Sequence, residues 1–200
     1  MALAKTGYTE NTPKNYVINA ASVYTNVTYA EVGGFTGTLI GATSGGVTVT
    51  IEQNYMNPEV DGTAHVQGKV KGNTLLESAA ARAVVNLKEI TAEALRKGLN
   101  GSIRAALATE APTGYKVVET KREVADADYL TNIAIVGTLS GSDEAVIAIL
   151  DNPLCTGGIE LATEDNNGGA VIELTYEAHA TAAQLAAETF PWRILFPTIA

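Results

Sequence analysis

Two stretches of this chain alternate apolar and polar residues one by one, and that pattern constrains the fold more than any other feature. Val47, Val49 and Ile51 alternate with Thr48, Thr50 and Glu52. Ala170, Ile172, Leu174, Tyr176 and Ala178 alternate with Val171, Glu173, Thr175 and Glu177. Successive side chains of a strand point to opposite faces, so a period of two reads as a half-buried antiparallel strand with one wet face. The alternation alone therefore places Thr48, Thr50, Glu52, Glu173, Thr175 and Glu177 on outward faces.

Weaker alternation predicts strands over 83–89, 115–122 and 131–139. A buried-type run over 145–150 sits between Gly141-Ser142 and Asp151-Asn152-Pro153. Turn signals stand at Gly33-Gly34, Gly45-Gly46, Asn100-Gly101 and Asn167-Gly168, the last predicting a hairpin between 158–163 and 170–180. Residues 75–85 are ambiguous, because Leu-Leu-Glu-Ser-Ala-Ala-Ala-Arg-Ala favours helix but runs into an alternating pattern. Strand is expected from about Ala81. One helix is written with its caps over 91–100. Thr91 is the N-cap, Ile90 and Leu95 occupy the hydrophobic-staple positions, and Arg96 and Lys97 stand near the negative end, before Gly98 or Asn100-Gly101 stops it. A short helix is expected over 181–188, and Phe190-Pro191 then leads into a terminal strand over 192–196. Trp192, Ile194 and Phe196 share one face of that strand, so Trp192 is expected to be buried.

The sum is a mainly β chain, an antiparallel sandwich or barrel with one flanking α-helix. Its 200 residues suit a single domain that buries roughly 70% of its unfolded surface. Residues 1–13 are polar and turn-rich and read as an N-terminal arm that orders only on assembly. Residues 54–73 contain Pro58 and three glycines and are long for a structureless connection, so they read as a projecting loop.

Charge and chemistry exclude more than they suggest. Between residues 123 and 192 there are twelve Asp or Glu and no Lys or Arg, whereas the first 122 residues carry twelve bases and ten acids. Such a C-terminal half repels phosphates and anionic lipid, which argues against nucleic-acid or membrane-surface binding. No apolar run reaches signal-peptide or membrane-span length, and a single cysteine, Cys155, fits a reducing compartment. His65 and His179 have no second His or Cys at a metal-ligand spacing, so no metal is expected. The glycines between 33 and 46 lack the Lys-Ser or Lys-Thr of a phosphate loop and read as turns. Cys155 needs a histidine within reach to act as a nucleophile and otherwise reads as a buried, inert thiol. The carboxylate pairs Asp126 and Asp128, Asp143 and Glu144, and Glu164 and Asp165 lie in turn-like polar stretches, where they read as solvated rather than catalytic. The chain is expected to be no enzyme and to need no cofactor.

From residue 40 to 101 the chain resembles the major tail (tail tube) proteins of long-tailed, non-contractile bacteriophages. The resemblance rests on Ile40-Gly41-Ala42-Thr43-Ser44-Gly45-Gly46-Val47, then Val60-Asp61-Gly62, Val70-Lys71-Gly72 and Leu87-Lys88-Glu89-Ile90-Thr91-Ala92-Glu93-Ala94-Leu95. It extends to Tyr176-Glu177-Ala178-His179 and to Pro191-Trp192-Arg193-Ile194 with Phe196-Pro197, so the order of the pieces covers most of the chain.

The resemblance implies a sandwich or barrel-like subunit with a flanking helix, an extended loop and terminal arms. Six copies would form a ring, and stacked rings a virion tail tube through which DNA passes without specific binding. The implied partners are further copies of the chain and other tail proteins such as the tape measure and distal tail proteins, with no membrane. The protein would be made in the bacterial host cytoplasm. Residues Tyr55, Met56, Pro58, Val60, Asp61 and His65 of the loop would then contact the neighbouring ring. The outward residues Thr48, Thr50, Glu52, Glu173, Thr175 and Glu177 would face the lumen, an acidic lining to which DNA does not stick. The rival reading is a soluble β-sandwich binding module with a ligand groove lined by Tyr and acidic side chains.

Overall fold

The computed structural model describes residues 6–59, 71–142, 144–162 and 169–198. A 3₁₀ turn over Thr12–Asn15 precedes β1 (Val17–Ala30), β2 (Gly34–Leu39), β3 (Thr43–Met56) and β4 (Leu75–Leu87). Helix α1 (Ala92–Gly98) leads into β5 (Gly101–Ala105) and β6 (Lys116–Thr120). After a second 3₁₀ turn (Asp126–Asp128) come β7 (Asn132–Leu139), β8 (Ala145–Asp151), β9 (Leu154–Cys155), β10 (Leu161–Ala162) and β11 (Val171–Glu177). Helix α2 (Ala182–Ala186) and β12 (Trp192–Leu195) complete the chain. Strand accounts for 49% and helix for 11%, so the protein is mainly β, and every strand pairing is antiparallel.

Two sheets make the sandwich. One runs β12-β8-β7-β1-β2; the other runs β10-β11-β4-β3, with β9 also on β11. Between them lies the core. Val23, Ile133, Ile135 and Leu150 come from the first sheet, and Ala83, Val85, Leu87, Ile172, Leu174 and Tyr176 from the second. Burying side chains of this size stabilises by about 1.5–3 kcal/mol each relative to exposure. The β5-β6 hairpin is separate and packs with α1 at the flank.

Helix α1 is shorter than the expected 91–100. Thr91 caps it by accepting from the Ala94 amide, as its sequence position requires. Helix α2 has a capping box in which Thr181 and Gln184 satisfy each other's backbone amides. Residues 75–80, where helix propensity competes, are strand throughout. Over these residues β4 pairs with β3 alone, continuing the ladder that β3 and β11 together hold from Arg82 onward, and that ladder outweighs a propensity difference of a few tenths of a kcal/mol per residue.

Three further expectations are corrected. Gly45 and Gly46 make no turn. They sit inside β3 with φ of +82° and +87°, where the register with β4 shifts between Thr43 and Val47, so they form a bulge. Asn54, Tyr55 and Met56 belong to β3, so the connection to β4 is shorter than 54–73. Ile194 and Phe196 are exposed, and Trp192 is only half-buried, its ring 4.8 Å from that of Phe190. The terminal strand lies at the sheet's edge, paired with β8 and, among the described residues, with no strand on its outer side. The pairing of β10 with β11 agrees with the expected hairpin, while the Asn167-Gly168 turn lies outside the described residues. So do residues 1–5 of the expected arm. Lys14 to Tyr16 are tied to the β7-β8 turn, where the Ser140 amide donates to Tyr16 O at 2.9 Å and the Gly141 amide to Lys14 O at 3.1 Å.

Candidate functional site

The two outward-facing strands of the sequence meet on one face, with β4 between them. Thr48 and Thr175 both pair with Val84, and Thr50 and Glu177 both pair with Arg82. Glu52 pairs with Ala80, and Glu173 with Asn86. All six residues therefore lie on one side of the second sheet. Val49, Ile51, Ala83, Val85, Leu174 and Tyr176 lie on the other side, in or against the core. Glu52, Glu173 and Thr48 are exposed; Thr50, Thr175 and Glu177 are half-exposed. Thr175 is screened by Gly157, on which a Cβ would stand 2.9 Å from the threonine's Cβ.

Arg82 is the residue of this face that the sequence reading missed. It sits mid-face and donates from Nη2 to Glu52 Oε1 at 2.9 Å. It lies within the strand expected from Ala81, opposite Thr50, and its closeness to Glu52 comes from the β3-β4 register. A shallow hollow of about 140 Å³ opens there between Thr50, Glu52, Arg82 and Glu177. Among the described residues the paired positions of this face thus carry hydroxyls and carboxylates beside Ala80, Val84 and Asn86, with one cation, Arg82, already bonded to a carboxylate.

Beyond Ala81 the β3-β4 ribbon leaves the core. The inward residues of β4 are buried from Ala81 onward, and Leu75 to Ser78 are exposed. Tyr55 pairs with Leu76 and Met56 with Leu75, and all four stand between 38% and 54% exposed. Past them Asn73 Nδ2 donates to Pro58 O at 2.7 Å, and Thr74 Oγ1 to Asn57 Oδ1 at 2.8 Å, closing the ribbon. Of the expected inter-ring residues, Tyr55, Met56 and Pro58 lie in this ribbon. Val60, Asp61 and His65 lie outside the described residues.

A third feature is a cavity of about 550 Å³ lined by Asp126, Tyr129, Asn152, His179 and Thr181. The His179 ring meets Tyr129 edge-on at 5.2 Å, and Nδ1 lies 2.9 Å from Glu177 O. Asn152, at a positive φ of 46°, donates from Nδ2 to His179 O at 3.0 Å, so the histidine's backbone is fixed.

Elsewhere the residues considered for catalysis are accounted for structurally. Cys155 is buried, and burial pushes its thiol up, away from the reactive thiolate. Asp128 departs from the solvated reading. Its side chain is 2% exposed and accepts from Lys121 Nζ and the Ala125 amide, contacts that hold its carboxyl below the usual range. Glu144 is exposed, and Asp143, Glu164 and Asp165 lie outside the described residues. Among the described residues no three His, Cys, Asp or Glu are grouped to hold a metal ion, and no helix is long and apolar enough to cross a membrane. No protein-family model matches the chain, and no curated protein sequence matches it.

Proposed function

We propose that this chain is the building block of a phage-type tail tube, six copies closing into a ring and rings stacking into a conduit for DNA. The observation that carries the reading is the gathering of Thr48, Thr50, Glu52, Glu173, Thr175 and Glu177 on one polar sheet face, backed directly by the core. β3 bounds that face as an edge strand of 14 residues. An edge of that length presents unpaired N–H and C=O groups that another copy can complete, extending one polar face into a continuous wall. Such a wall lets a polyanion slide. Among the described residues paired across β3, β4 and β11 the one cation, Arg82, is bonded to Glu52 and so is no free counterion-releasing anchor for DNA. On this reading Tyr55, Met56, Pro58, Val60, Asp61 and His65 contact the adjacent ring. The partners are other copies, the tape measure and distal tail proteins, in a virion tail assembled in the host cytoplasm.

Size-exclusion chromatography with negative-stain microscopy over a concentration series tests this. Rings or tubes that grow with concentration are expected, and a strict monomer throughout contradicts it. The cavity beside His179 favours the second reading, a binding module, since Tyr129 and Asp126 supply the aromatic and acidic walls such a groove needs. A monomer with ligand-induced NMR shifts confined to those residues would select it.

A further inference from the structure

The outward face of sheet β12-β8-β7-β1-β2 is apolar, unlike that of its partner sheet. Ala134, Ile147 and Ile149 point away from the main core, yet they are 0%, 6% and 3% exposed, with Val27, Val136 and Leu195 packed on them. The β1-β2 ribbon folds over this face from a bulge at Asn26, whose φ is +55°. Two adjoining clefts stay open. One of about 490 Å³ lies among Tyr24, Val27, Phe35, Val136 and Ile147; the other, about 300 Å³, lies among Val27, Tyr29, Phe35, Ile149 and Leu195. The larger has room for about three ring-sized groups at roughly 150 Å³ each. Among the described residues the only charged side chain lining either cleft is Arg193, which is bound to Asp151 at 2.8 Å.

We infer that these clefts receive the β3-β4 ribbon of a second copy, with Tyr55, Met56, Leu75 and Leu76 entering between the β1-β2 ribbon and β8. The inference rests on the tail-tube reading and names its contact. Three observations select this occupant. A concave face cannot fill another concave face, so cleft-to-cleft pairing leaves voids; a ridge is needed, and the ribbon supplies one that is apolar on both faces, Tyr55 with Leu76 on one and Met56 with Leu75 on the other. Copies carrying a net charge of −9 repel, and among the described residues neither the cleft linings nor these four side chains bring an unpaired acid to the contact. Finally, four large side chains about half exposed offer on the order of 400 Å². A stable pair needs about 800 Å² per partner, so one contact holds two copies weakly, while a closed array in which each copy gives and receives reaches the threshold. Because donor and acceptor are different surfaces, the contact is heterologous and closes into a ring or propagates.

The full-length chain carrying both Leu76→Cys and Thr36→Cys tests this, since Thr36 lines the larger cleft. Under mild oxidation it should give a covalent ladder on a non-reducing gel, while either single variant stays monomeric. Independently, Tyr24→Ser with Phe35→Ser should keep the circular dichroism of the parent and raise the concentration needed for assembly at least tenfold. If the double serine variant does not fold, the ladder decides alone. A wild-type chain that assembles, with no ladder or with the serine variant assembling at the parental concentration, overturns the docking and leaves the tube reading standing. Normal assembly with a co-purified lipid or detergent in the clefts overturns it too. A wild-type chain that never assembles overturns the tube reading, and the docking with it.

Discussion

The side-chain amide of Asn132 holds the backbone of Val27 from both sides, accepting from the Val27 amide at 2.7 Å and donating to its carbonyl at 2.8 Å. β1 pairs with β7 as far as Thr25 opposite Ile133, then bulges at Asn26. Asn132 therefore replaces the next ladder pair and fixes the angle at which the β1-β2 ribbon leaves the sheet. At 8% exposure it has little water to fall back on.

Asn132→Ala should accordingly cost about 2–3 kcal/mol in urea unfolding, because it leaves the Val27 amide and carbonyl without partners. Hydrogen exchange at Val27 should quicken by at least tenfold, well beyond that at Val23. Unchanged exchange at Val27 would show that the ribbon is held by its packing alone.

Charge reversal probes the polar face. Glu52→Lys with Glu173→Lys changes exposed side chains, so stability should move by no more than about 0.5 kcal/mol, apart from the exposed Glu52-Arg82 pair, itself worth at most about 1 kcal/mol. In tubes the lining becomes basic and should retain duplex DNA, with retention falling as salt rises. Normal tubes that bind DNA no better than the parent would place this face away from the bore.

Tyr176 is the one described residue with a fully buried side-chain polar atom that makes no hydrogen bond, its hydroxyl lying in the core. Burial holds the phenol protonated far above its ordinary range. Tyr176→Phe removes the orphaned group at constant shape, so stability should be unchanged or rise by about 1 kcal/mol. A loss of 2 kcal/mol or more in thermal or urea unfolding would mean that the hydroxyl has a partner in solution.

Acid should loosen the flank that carries α1, β5 and β6. Arg104 donates to Glu110 at 2.7 Å and draws its carboxyl down to about 2, with help from the Leu107 amide. Glu93 is lowered by Arg96, and Asp128 by Lys121. Folded values below the unfolded ones mean that this stabilisation is present above about pH 4.5 and is lost as pH falls toward about 2. Exposure keeps the Glu110 share small. NMR titration of the Glu110 carboxyl should find its midpoint well below 4.5; an ordinary midpoint would show that the pair does not persist in solution.

Strands with one wet face were legible face by face, because there polarity alternates, while β8, covered on both sides, was legible only as a short apolar run between turn signals. β11 and the middle of β3 read correctly, face by face, and so did the Thr91 cap. β1 did not. Val23 faces the main core while Tyr24 lines an outward apolar cleft, so both sides of the strand are apolar and the period disappears, and the Asn26 bulge then shifts what remains. The same two-sided character hid the clefts. Arg82 was missed although strand was expected from Ala81, because what brings it to Glu52 is the β3-β4 register, a pairing thirty residues apart in the chain. The inward turn of Asp128 depends on Lys121, seven residues away, which local pattern cannot see.

Cryo-electron microscopy of the assembled wild-type chain tests the central claim most directly. A tube of stacked six-fold rings is expected, with Glu52, Glu173 and Glu177 on the inner wall and β3 paired edge to edge with a neighbouring copy. A map with those carboxylates on the outer surface, or a chain that stays monomeric at every concentration, would contradict it.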